Sequence, residues 1–552
     1  MRTMFLDPPV RPARSAQLLV VIASVWLAVL GNLTLWKTLI ALPDLTGWHG
    51  VAFGFVFALI IASMIAAVLS LFAWRLTLKP AISVLLLLAA FATYYMWMYG
   101  IVVDTPMLIN VLQTDPREAR DQLSWQLLIT VFGLAGLPMI WIWRQSVTPI
   151  TWSNQILRNA ALLAASLAVA FGSTQLVFQD FSSLMRNYIE MRYQINPLNS
   201  LYAVLDMTVI PAEQPRGPRQ SLGTDARIAA RATSSAQRPP LLVFVLGETA
   251  RSQNFSLNGY ARNTNPQLAK ENVTSFTQVS SCGTSTAESL PCMFSHLGRS
   301  GFDKRSNEFE NLLDVLQHAG YAVLWMDNQS GCKEQCARVP YVNTSNLDLP
   351  DDCENGECRD TVMLARIEAE LAKLPAQRRA RGTVVVMHQM GSHGPAYFKR
   401  VPERFKTFQP ECKDTSLSQC DREQITNAYD NTLVFTDHFL SRVIAWLKTQ
   451  EKTNTPAMLY VADHGESLGE KNIYLHGLPY GVAPPEQTRV PMITWLSPSF
   501  EQLSRINTRC LQARRDTPLS HDHLFHSVLG LMAVKTQVYQ RERDFFAACE
   551  NH

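Results

Sequence analysis

The first 281 residues of this 552-residue chain contain no cysteine, and its N-terminal third contains few charged residues. The formal net charge is only +3, so the composition gives no reason to expect a nucleic-acid partner. The sequence also lacks internal repeats, a P-loop and a G-x-G-x-x-G motif. These absences remove the common signatures of repeat arrays, nucleotide triphosphatases and dinucleotide-binding enzymes.

The cysteines are confined to the second half of the chain, where all ten lie between Cys282 and Cys549. An even number of closely spaced cysteines indicates disulfides and an oxidising compartment. The spacing predicts the pairs Cys282 with Cys292, Cys332 with Cys336, Cys353 with Cys358, Cys412 with Cys420, and the remaining Cys510 with Cys549. The alternative is a zinc site built from GCKEQC and CENGEC, but neither has the C-x2-C spacing of such sites.

Apolar stretches in the N-terminal third are long enough to cross a bilayer, which takes about 20 residues each. There are five, at residues 17–36, 51–74, 82–102, 123–143 and 160–178. A cleaved signal peptide is a poor account of the first because four more follow it. Lys and Arg precede the first stretch and lie between the second and third and between the fourth and fifth, which predicts a cytoplasmic N-terminus. An odd number of spans then places the cysteine-containing part outside, in the compartment that the cysteines also indicate.

The segments around the spans predict the domain organisation. In the outer loop 104–121, Asn110, Thr114 and Glu118 are four residues apart and share a face if the loop is helical, although a solvated interfacial helix is the alternative. Residues 181–204 are typical of an amphipathic helix on the membrane, and 211–240 of a linker. We therefore expect a five-span transmembrane domain (1–180), an interfacial helix and linker (181–240) and a soluble catalytic domain (241–552).

Short apolar runs alternate with helical patterns in the soluble part. The runs are residues 241–246, 321–326, 383–388, 458–462 and 490–496, and the amphipathic stretches between them include 307–319 and 430–447. Continuous apolar strands that alternate with helices predict an α/β fold with a mainly parallel sheet, covered by helices on both faces. Sheets of this kind bind ligands at the carboxyl ends of their strands.

Metal-ligating residue types end three of these runs. Glu248 follows the first run, His388 and His393 lie at and after the third, and Asp463 and His464 follow the fourth. Because the carboxyl ends of parallel strands meet at one edge, we expect a metal site there. A mixture of carboxylate and imidazole suits zinc or manganese.

The hydroxyl-rich turn CGTSTAESLPC contains the candidate nucleophile, Thr286. A threonine hydroxyl is protonated at neutral pH, so it needs a metal, a base or a positive dipole to react. On chemistry alone, Thr284, Ser285 and Ser289 are competitors. The alternative role for the turn is a helix N-cap, which is compatible with catalysis because helix N-terminal amides stabilise anions.

The motifs GETAR, CGTSTA-x-S-x-PCMFS, SGCK, HQMGSHGP, DHGESLGE and YLHGLP occur in this order. Together they resemble the phosphoethanolamine transferases that modify lipid A, including the transferable colistin-resistance enzymes. The resemblance covers essentially the whole chain and implies an alkaline-phosphatase-like catalytic domain. It makes Thr286 the nucleophile, and it makes Glu248, Asp463 and His464 the ligands that bind zinc together with it.

The resemblance also implies roles for residues outside that group. His393 and His476 match residues that bind a second zinc or protonate the leaving group, so one or two zinc ions are expected. The positions that match the binding site for the donor head group are Asn110, Thr114, Glu118, Ser330, Lys333 and, as a weaker candidate, His388.

The implied reaction moves phosphoethanolamine from phosphatidylethanolamine to a phosphate of lipid A through a covalent intermediate on threonine, which confers polymyxin and colistin resistance. The enzyme would be a monomer in the bacterial inner membrane with a periplasmic catalytic domain.

Three alternative functions can be compared with the sequence. A relative with another head group or acceptor, such as a phosphoglycerol transferase, would share most of the motifs. A sulfatase would need a C/S-x-P-x-R motif, which does not occur at the nucleophile turn. A non-catalytic membrane sensor would be expected to lack the nucleophile or a ligand, whereas this chain retains them all.

Overall fold

The computed structural model describes residues 13–43, 45–114, 119–120, 122–188, 190–208, 217–229, 238–345, 347, 349, 352–354, 357–415 and 417–550. The chain forms two compact units: Met1–Leu108 with Leu123–Ile210, and Ile109–Gln122 with Pro211–His552. The segment Ile109–Gln122, which lies between two predicted spans, therefore groups with the soluble part of the chain.

In the described residues, the first unit contains five helices that are long and apolar enough to cross a membrane, as the sequence predicts. They are Ala16–Ile40, Gly47–Leu71, Leu78–Tyr99, Trp125–Trp143 and Trp152–Leu176. The first is interrupted by a 3-10 turn at Leu30–Asn32, and the fourth contains a π-helical segment at Phe132–Gly136.

A buried polar cluster compensates for the interruption of the first span. The Asn196 side-chain amide donates to the carbonyl oxygens of Gly31 (3.0 Å) and Ala89 (2.8 Å), and its backbone N–H donates to Asn32 Oδ1 (2.8 Å). Inside a membrane these backbone groups have no water to bind, so side-chain partners are required there. Asn196 thereby attaches the segment after the fifth span to the first and third spans.

The segment after the fifth span differs from the single amphipathic helix predicted over 181–204. It forms three shorter helices, Phe178–Asn187, Glu190–Tyr193 and Leu198–Thr208. The outer loop likewise has only a short helix, Thr105–Leu112, which ends before Thr114. Asn110 and Thr114 therefore do not share one helical face, and Glu118 lies outside the described residues.

An eight-stranded sheet forms the centre of the second unit. We number its strands β1 (Pro240–Gly247), β2 (Val273–Ser280), β3 (Ala322–Asp327), β4 (Tyr341–Asn343), β5 (Thr383–His388), β6 (Thr455–Ala462), β7 (Arg489–Leu496) and β8 (Leu519–Ser520). The spatial order is β8-β2-β7-β6-β1-β5-β3-β4, and only β7 runs antiparallel to its neighbours. The mainly parallel sheet that the sequence predicts is confirmed. Strands β2, β4 and β8 were not predicted, because they are short or contain polar residues.

The helices of the second unit are Thr286–Met293, Gly298–Asp303, Leu312–Ala319, Val362–Lys373, Ala376–Arg379, Arg422–Gln450, Pro485–Thr488, Pro498–Ser504, Thr508–Ala513 and Leu524–Leu531. Among the residues that the structure describes, four short strand pairs lie outside the main sheet: Gly217–Gln220 with Asn307–Phe309, Arg227–Ile228 with Val534–Lys535, Cys353–Glu354 with Glu357–Cys358, and Ser467–Leu468 with Tyr474–Leu475. The stretch 307–319, predicted as one helix, is thus a strand followed by a helix. The boundary is set by Asn311, which forms a capping box with Asp314.

The central strands β1, β5 and β6 are buried along their whole length, which explains their continuous apolar sequences. Their register aligns Ala462 with Gly247 and His388 with Leu246, so the three strands end at one edge of the sheet. The second unit also contains five disulfides, which join the ten cysteines in the pairs that their spacing predicts.

Candidate active site

Two neighbouring strand ends bring Glu248, Asp463 and His464 together. Asp463 N donates to the carbonyl oxygen of Gly247 (2.9 Å), which continues the β1–β6 pairing into the site. His464 Nε2 lies 3.5 Å from Glu248 Oε1 and 3.4 Å from Asp463 Oδ2. All three side chains are fully buried. The parallel sheet therefore places two carboxylates and an imidazole in one enclosed position.

Thr286 faces this group from the first turn of the helix Thr286–Met293. Its hydroxyl Oγ1 donates to Glu248 Oε2 (3.1 Å) and lies 3.4 Å from His464 Nε2. The Thr284 hydroxyl instead donates to the Leu478 carbonyl oxygen (2.6 Å), and Ser289 Oγ accepts from Gly283 N (3.0 Å). Ser285 Oγ is buried and has no hydrogen-bond partner in the described part of the chain. Of these four hydroxyls, only that of Thr286 contacts the buried carboxylate and imidazole.

The backbone around Glu248 is held in an unusual conformation. Thr249 has a φ of 57°, which is rare for a β-branched residue, and it is fully buried. Its backbone N–H donates to Asp463 Oδ1 (3.1 Å) and its hydroxyl to Glu248 Oε1 (2.6 Å). Gly391, with a φ of 51°, packs so closely that a Cβ there would lie 2.7 Å from the Glu248 carbonyl oxygen. Strain of this kind persists only where the surrounding contacts fix the structure, and it is concentrated at functional sites.

The electrostatics of the three buried groups favour an added positive charge. Burial and the neighbouring Glu248 raise the pKa of Asp463 to about 6. Burial alone would lower the pKa of His464, but the charges of Asp463 and Glu248 outweigh it and raise that pKa to about 10. Burial opposes ionisation of Glu248 as well, yet its hydrogen bond with His464 keeps its pKa below the ordinary value. Two anions are thus held together at a position that stabilises a cation.

The geometry of the same three residues fits a metal ion. One ligand atom from each of Glu248, Asp463 and His464 lies within 4.8 Å of the others. Asp463 Oδ2 is buried without a hydrogen-bond partner among the described residues. Buried polar atoms normally have such a partner. His464 Nδ1 lies 3.0 Å from the Gly465 carbonyl oxygen and donates to it, so Nε2 is the ring nitrogen that would give up its proton to bind a metal.

Two further predicted histidines lie beside His464. The ring centroids of His464 and His476 are 4.3 Å apart, and those of His476 and His393 are 5.8 Å apart. His476 Nδ1 lies 2.7 Å from Glu466 Oε2, while Tyr397 donates its hydroxyl to Glu466 Oε1 (2.5 Å). The carboxylate of Glu466 therefore fixes the orientation of the His476 ring beside His464.

His388 occupies a different position from the other histidines. It is fully buried between two carboxylates, with Nδ1 3.3 Å from Asp327 Oδ2 and Nε2 3.9 Å from Glu248 Oε2. Asp327 also accepts hydrogen bonds from Trp325 Nε1 (2.9 Å) and Gln329 N (2.9 Å). This arrangement places His388 behind Glu248 as a support for that carboxylate.

Four of the residues predicted to bind the donor head group form a separate group of contacts: Asn110, Thr114, Ser330 and Lys333. Lys333 Nζ donates to Ser330 Oγ (3.3 Å) and to the Gln113 carbonyl oxygen (3.3 Å), and Thr114 Oγ1 donates to the Asn110 carbonyl oxygen (2.8 Å). In the described residues, none of these side chains contacts Glu248, Thr286, Asp463 or His464.

Two supporting residues of the site, Asp360 and Arg251, were not predicted from the sequence. The buried Asp360 accepts hydrogen bonds from Met390 N (2.8 Å) and Gly391 N (3.1 Å), so it fixes the loop that leads to His393. The buried Arg251 of the GETAR motif donates to the Glu466 carbonyl oxygen (3.1 Å) and to Glu470 (2.8 Å), and it fixes the loop after His464. Arg251 could have been found from the sequence because it belongs to the GETAR motif. Asp360 could not, because it lies in none of the motifs.

These features define a class: a membrane protein whose soluble α/β unit has the fold of the alkaline phosphatase and sulfatase superfamily. A family model described as Sulfatase matches residues 240–534, and one described as Phosphoethanolamine transferase EptA/EptB matches residues 61–210. The chain is 36% identical to phosphoethanolamine transferase EptA of Escherichia coli K12, over 98% of both chains. It is 37% identical to the phosphatidylethanolamine transferase Mcr-1 of Escherichia coli, over 87% of this chain and 89% of that protein.

The solved structure of the integral membrane protein lipooligosaccharide phosphoethanolamine transferase A (EptA) from Neisseria meningitidis is similar over the whole length. It covers 98% of this chain and 100% of its own, with a TM-score of 0.92 and 33% sequence identity. The chain belongs to the EptA family of phosphoethanolamine transferases. The resemblance inferred from the motifs is thus confirmed.

Proposed function

We propose that this protein transfers phosphoethanolamine from phosphatidylethanolamine to a phosphate of lipid A, with Thr286 as a covalent nucleophile. The observation that carries the proposal is the contact of Thr286 Oγ1 with Glu248 and His464 in a buried site. Glu248, Asp463 and His464, together with Thr286, would hold a metal ion in this site. Zinc suits such a mixture of carboxylate and imidazole ligands. When bound, zinc would lower the pKa of the Thr286 hydroxyl and offset negative charge on the phosphate.

The first step would transfer the head group to the enzyme. The Thr286 hydroxyl passes its proton to Glu248, to which it donates a hydrogen bond, as the Oγ–phosphorus bond forms and the bond from phosphorus to the diacylglycerol oxygen breaks. His476, oriented by Glu466, would donate the proton that the leaving diacylglycerol oxygen needs, and His393 lies beside it as the second candidate. The backbone amide groups at the start of the helix Thr286–Met293 would stabilise the phosphate anion on Thr286.

The second step would release the head group to the acceptor. A phosphate oxygen of lipid A attacks the same phosphorus and gives up its proton to His476. The bond to Thr286 Oγ breaks, and Oγ takes its proton back from Glu248. Lys333 and Ser330 lie next to the segment that contains Asn110 and Thr114, which supports a role for these residues in holding the donor head group. Glu118 completes the predicted set from its place in the same loop.

The setting of the reaction follows from the charge pattern of the spans. Basic residues flank the predicted cytoplasmic ends, which supports a cytoplasmic N-terminus and a periplasmic catalytic unit in the inner membrane. The five disulfides support the same orientation because the periplasm is oxidising. Each ethanolamine added to lipid A would offset a negative charge, so cationic polymyxins and colistin would bind less well to the cell surface. We expect the enzyme to act as a monomer, with one zinc ion or two.

The test uses the purified full-length protein with phosphatidylethanolamine and lipid A, and mass spectrometry of the lipid A product. Wild type should add phosphoethanolamine, and Thr286→Ala should lose several orders of magnitude in rate. Thr284→Ala is the matched control, because it removes a hydroxyl whose hydrogen bond is worth only about 1 kcal/mol. Equal rates for the two variants would reject Thr286 as the nucleophile. Transfer to another envelope glycan but not to lipid A would reject the acceptor alone.

A further inference from the structure

His521 is a fully enclosed side chain that none of the roles above uses. It directly follows β8, the edge strand that pairs with β2 through Ser520 and Ser280. Its side chain is 1% exposed and has a backbone partner on each ring nitrogen. We propose that His521 is a positioning residue that fixes the nucleophile turn relative to the strand that presents Asp463 and His464. This inference rests on the proposed function of Thr286.

The two hydrogen bonds define how the ring acts. Nδ1 accepts from the backbone N–H of Cys282 (3.0 Å), and Nε2 donates to the carbonyl oxygen of Ala462 (3.0 Å). Only the neutral ring with its proton on Nε2 can satisfy both partners. Burial lowers the pKa of His521 to about 3, so the ring is neutral at physiological pH.

Both partners are directly connected to the site. Cys282 begins the turn that leads to Thr286, and Ala462 is the residue before Asp463. The two segments extend from β2 and β6, which are not neighbours in the sheet because β7 lies between them. The imidazole therefore supplies a connection across β7 that the sheet hydrogen bonds do not supply directly.

The residues on either side of His521 make contacts of their own, which limit the movement of the ring. Ser520 pairs with Ser280 in the sheet, and Asp522 Oδ1 accepts from the backbone N–H of Arg299 (2.8 Å). The disulfide Cys282–Cys292 closes the far side of the turn. Thr286 Oγ1 is thereby kept within hydrogen-bond distance of Glu248, and an error of about 1 Å in such a position is enough to cost about 100-fold in rate.

The test compares three substitutions at His521 in the full-length protein. His521→Asn can retain the acceptor for Cys282 N, and His521→Gln can retain the donor to the Ala462 carbonyl oxygen, whereas His521→Ala retains neither. We expect the rate of phosphoethanolamine adduct formation on Thr286 to fall about 100-fold in the Ala variant. In the Asn and Gln variants it should fall about tenfold each. The KM for the phosphatidylethanolamine donor should not change, because the contacts of Lys333 and Ser330 are elsewhere.

His526→Gln is the matched control. His526 is also buried and bridges two backbone groups, with Nε2 3.3 Å from the His296 carbonyl oxygen and Nδ1 accepting from Gln540 N (3.2 Å). Neither of these groups belongs to the nucleophile turn or to the ends of β1 and β6. This variant should lower the melting temperature while its rate of adduct formation stays at the wild-type value.

Hydrogen exchange of the peptide 281–286 gives a readout that does not depend on activity. Exchange should be faster in His521→Ala than in wild type and unchanged in His526→Gln. The inference is overturned if the His521 variants form the adduct as fast as His526→Gln, or if exchange in 281–286 is the same in all of them. A Thr286→Ala variant that still transfers phosphoethanolamine would instead overturn the proposed function, while the exchange measurement would still decide whether His521 holds the turn.

Discussion

Asp463→Asn should separate metal affinity from the stability of the metal-free protein. The asparagine oxygen can still accept the hydrogen bonds from Thr249 N and His464 N that Asp463 Oδ1 accepts now. The unpartnered Oδ2 and the negative charge are both lost. Without metal, the change removes repulsion between two buried carboxylates, so the free energy of unfolding should be equal to that of wild type or higher. With metal present, the variant lacks one of the anionic ligands, so it should bind the metal less tightly.

The size of the effect follows from binding linkage. Zinc present at about 1,000 times its dissociation constant stabilises the folded state by about 4.1 kcal/mol. If the loss of the Asp463 ligand weakens binding about 100-fold, about 2.7 kcal/mol of that stabilisation disappears at the same zinc concentration. We would measure unfolding of the full-length protein with zinc and with a chelator, and the bound zinc by elemental analysis. An unchanged difference between the two unfolding curves in Asp463→Asn would contradict the assignment of this site.

Asp360→Asn is the matched control for that experiment. Asp360 is also a buried carboxylate at the same edge, but backbone N–H groups donate to both of its oxygens. An asparagine amide there would place N–H against N–H, so the variant should be less stable both with zinc and with the chelator. The difference between its two curves should nevertheless match wild type. A lost difference in Asp360→Asn alone would move the metal site away from Asp463.

Two more predictions concern the backbone and the pH dependence. Gly391→Ala should reduce transfer and lower the free energy of unfolding by more than about 1 kcal/mol, because the added Cβ would lie 2.7 Å from the Glu248 carbonyl oxygen. The control is Gly259→Ala, which should keep activity because Gly259 also has a positive φ but no heavy atom beyond its chain neighbours lies within 4 Å of the added Cβ. Burial raises the pKa of Asp437 to about 6, above its unfolded value, so its protonated form stabilises the fold at low pH and that contribution is lost as the pH rises through 6. The free energy of unfolding of Asp437→Asn relative to wild type should therefore increase from about pH 4 to about pH 7, and a constant difference would contradict this reasoning.

The parts of the fold that depend on local patterning were predictable from the sequence. Spans are set by the length of apolar runs, and β1, β5 and β6 are set by burial on both faces. Since strand ends in such a sheet meet at one edge, the sequence alone predicts that Glu248, Asp463 and His464 lie together. The exact ends of the helices were less predictable, because side-chain caps such as Asn311 decide them.

The supporting residues were not predictable because their roles depend on distant partners. His521 acts through contacts with Cys282 and Ala462, which are 239 and 59 positions away in the sequence. Asp360 gains its importance from the loop at Met390, and no local pattern marks it. The position of His388 behind Glu248 likewise depends on the register between β5 and β1. A single sequence shows the residue types that perform the chemistry, but not the buried groups that hold them in place.

The most direct test of the central claim is to isolate the covalent intermediate. Full-length enzyme would be incubated with phosphatidylethanolamine in the absence of acceptor, digested and mapped by mass spectrometry. We expect phosphoethanolamine on Thr286, absent from Thr286→Ala and removed from wild type when lipid A is added. An adduct on Thr284 or Ser285 would contradict the assignment of the nucleophile, and transfer to lipid A without an adduct on any of the three would contradict the covalent mechanism itself.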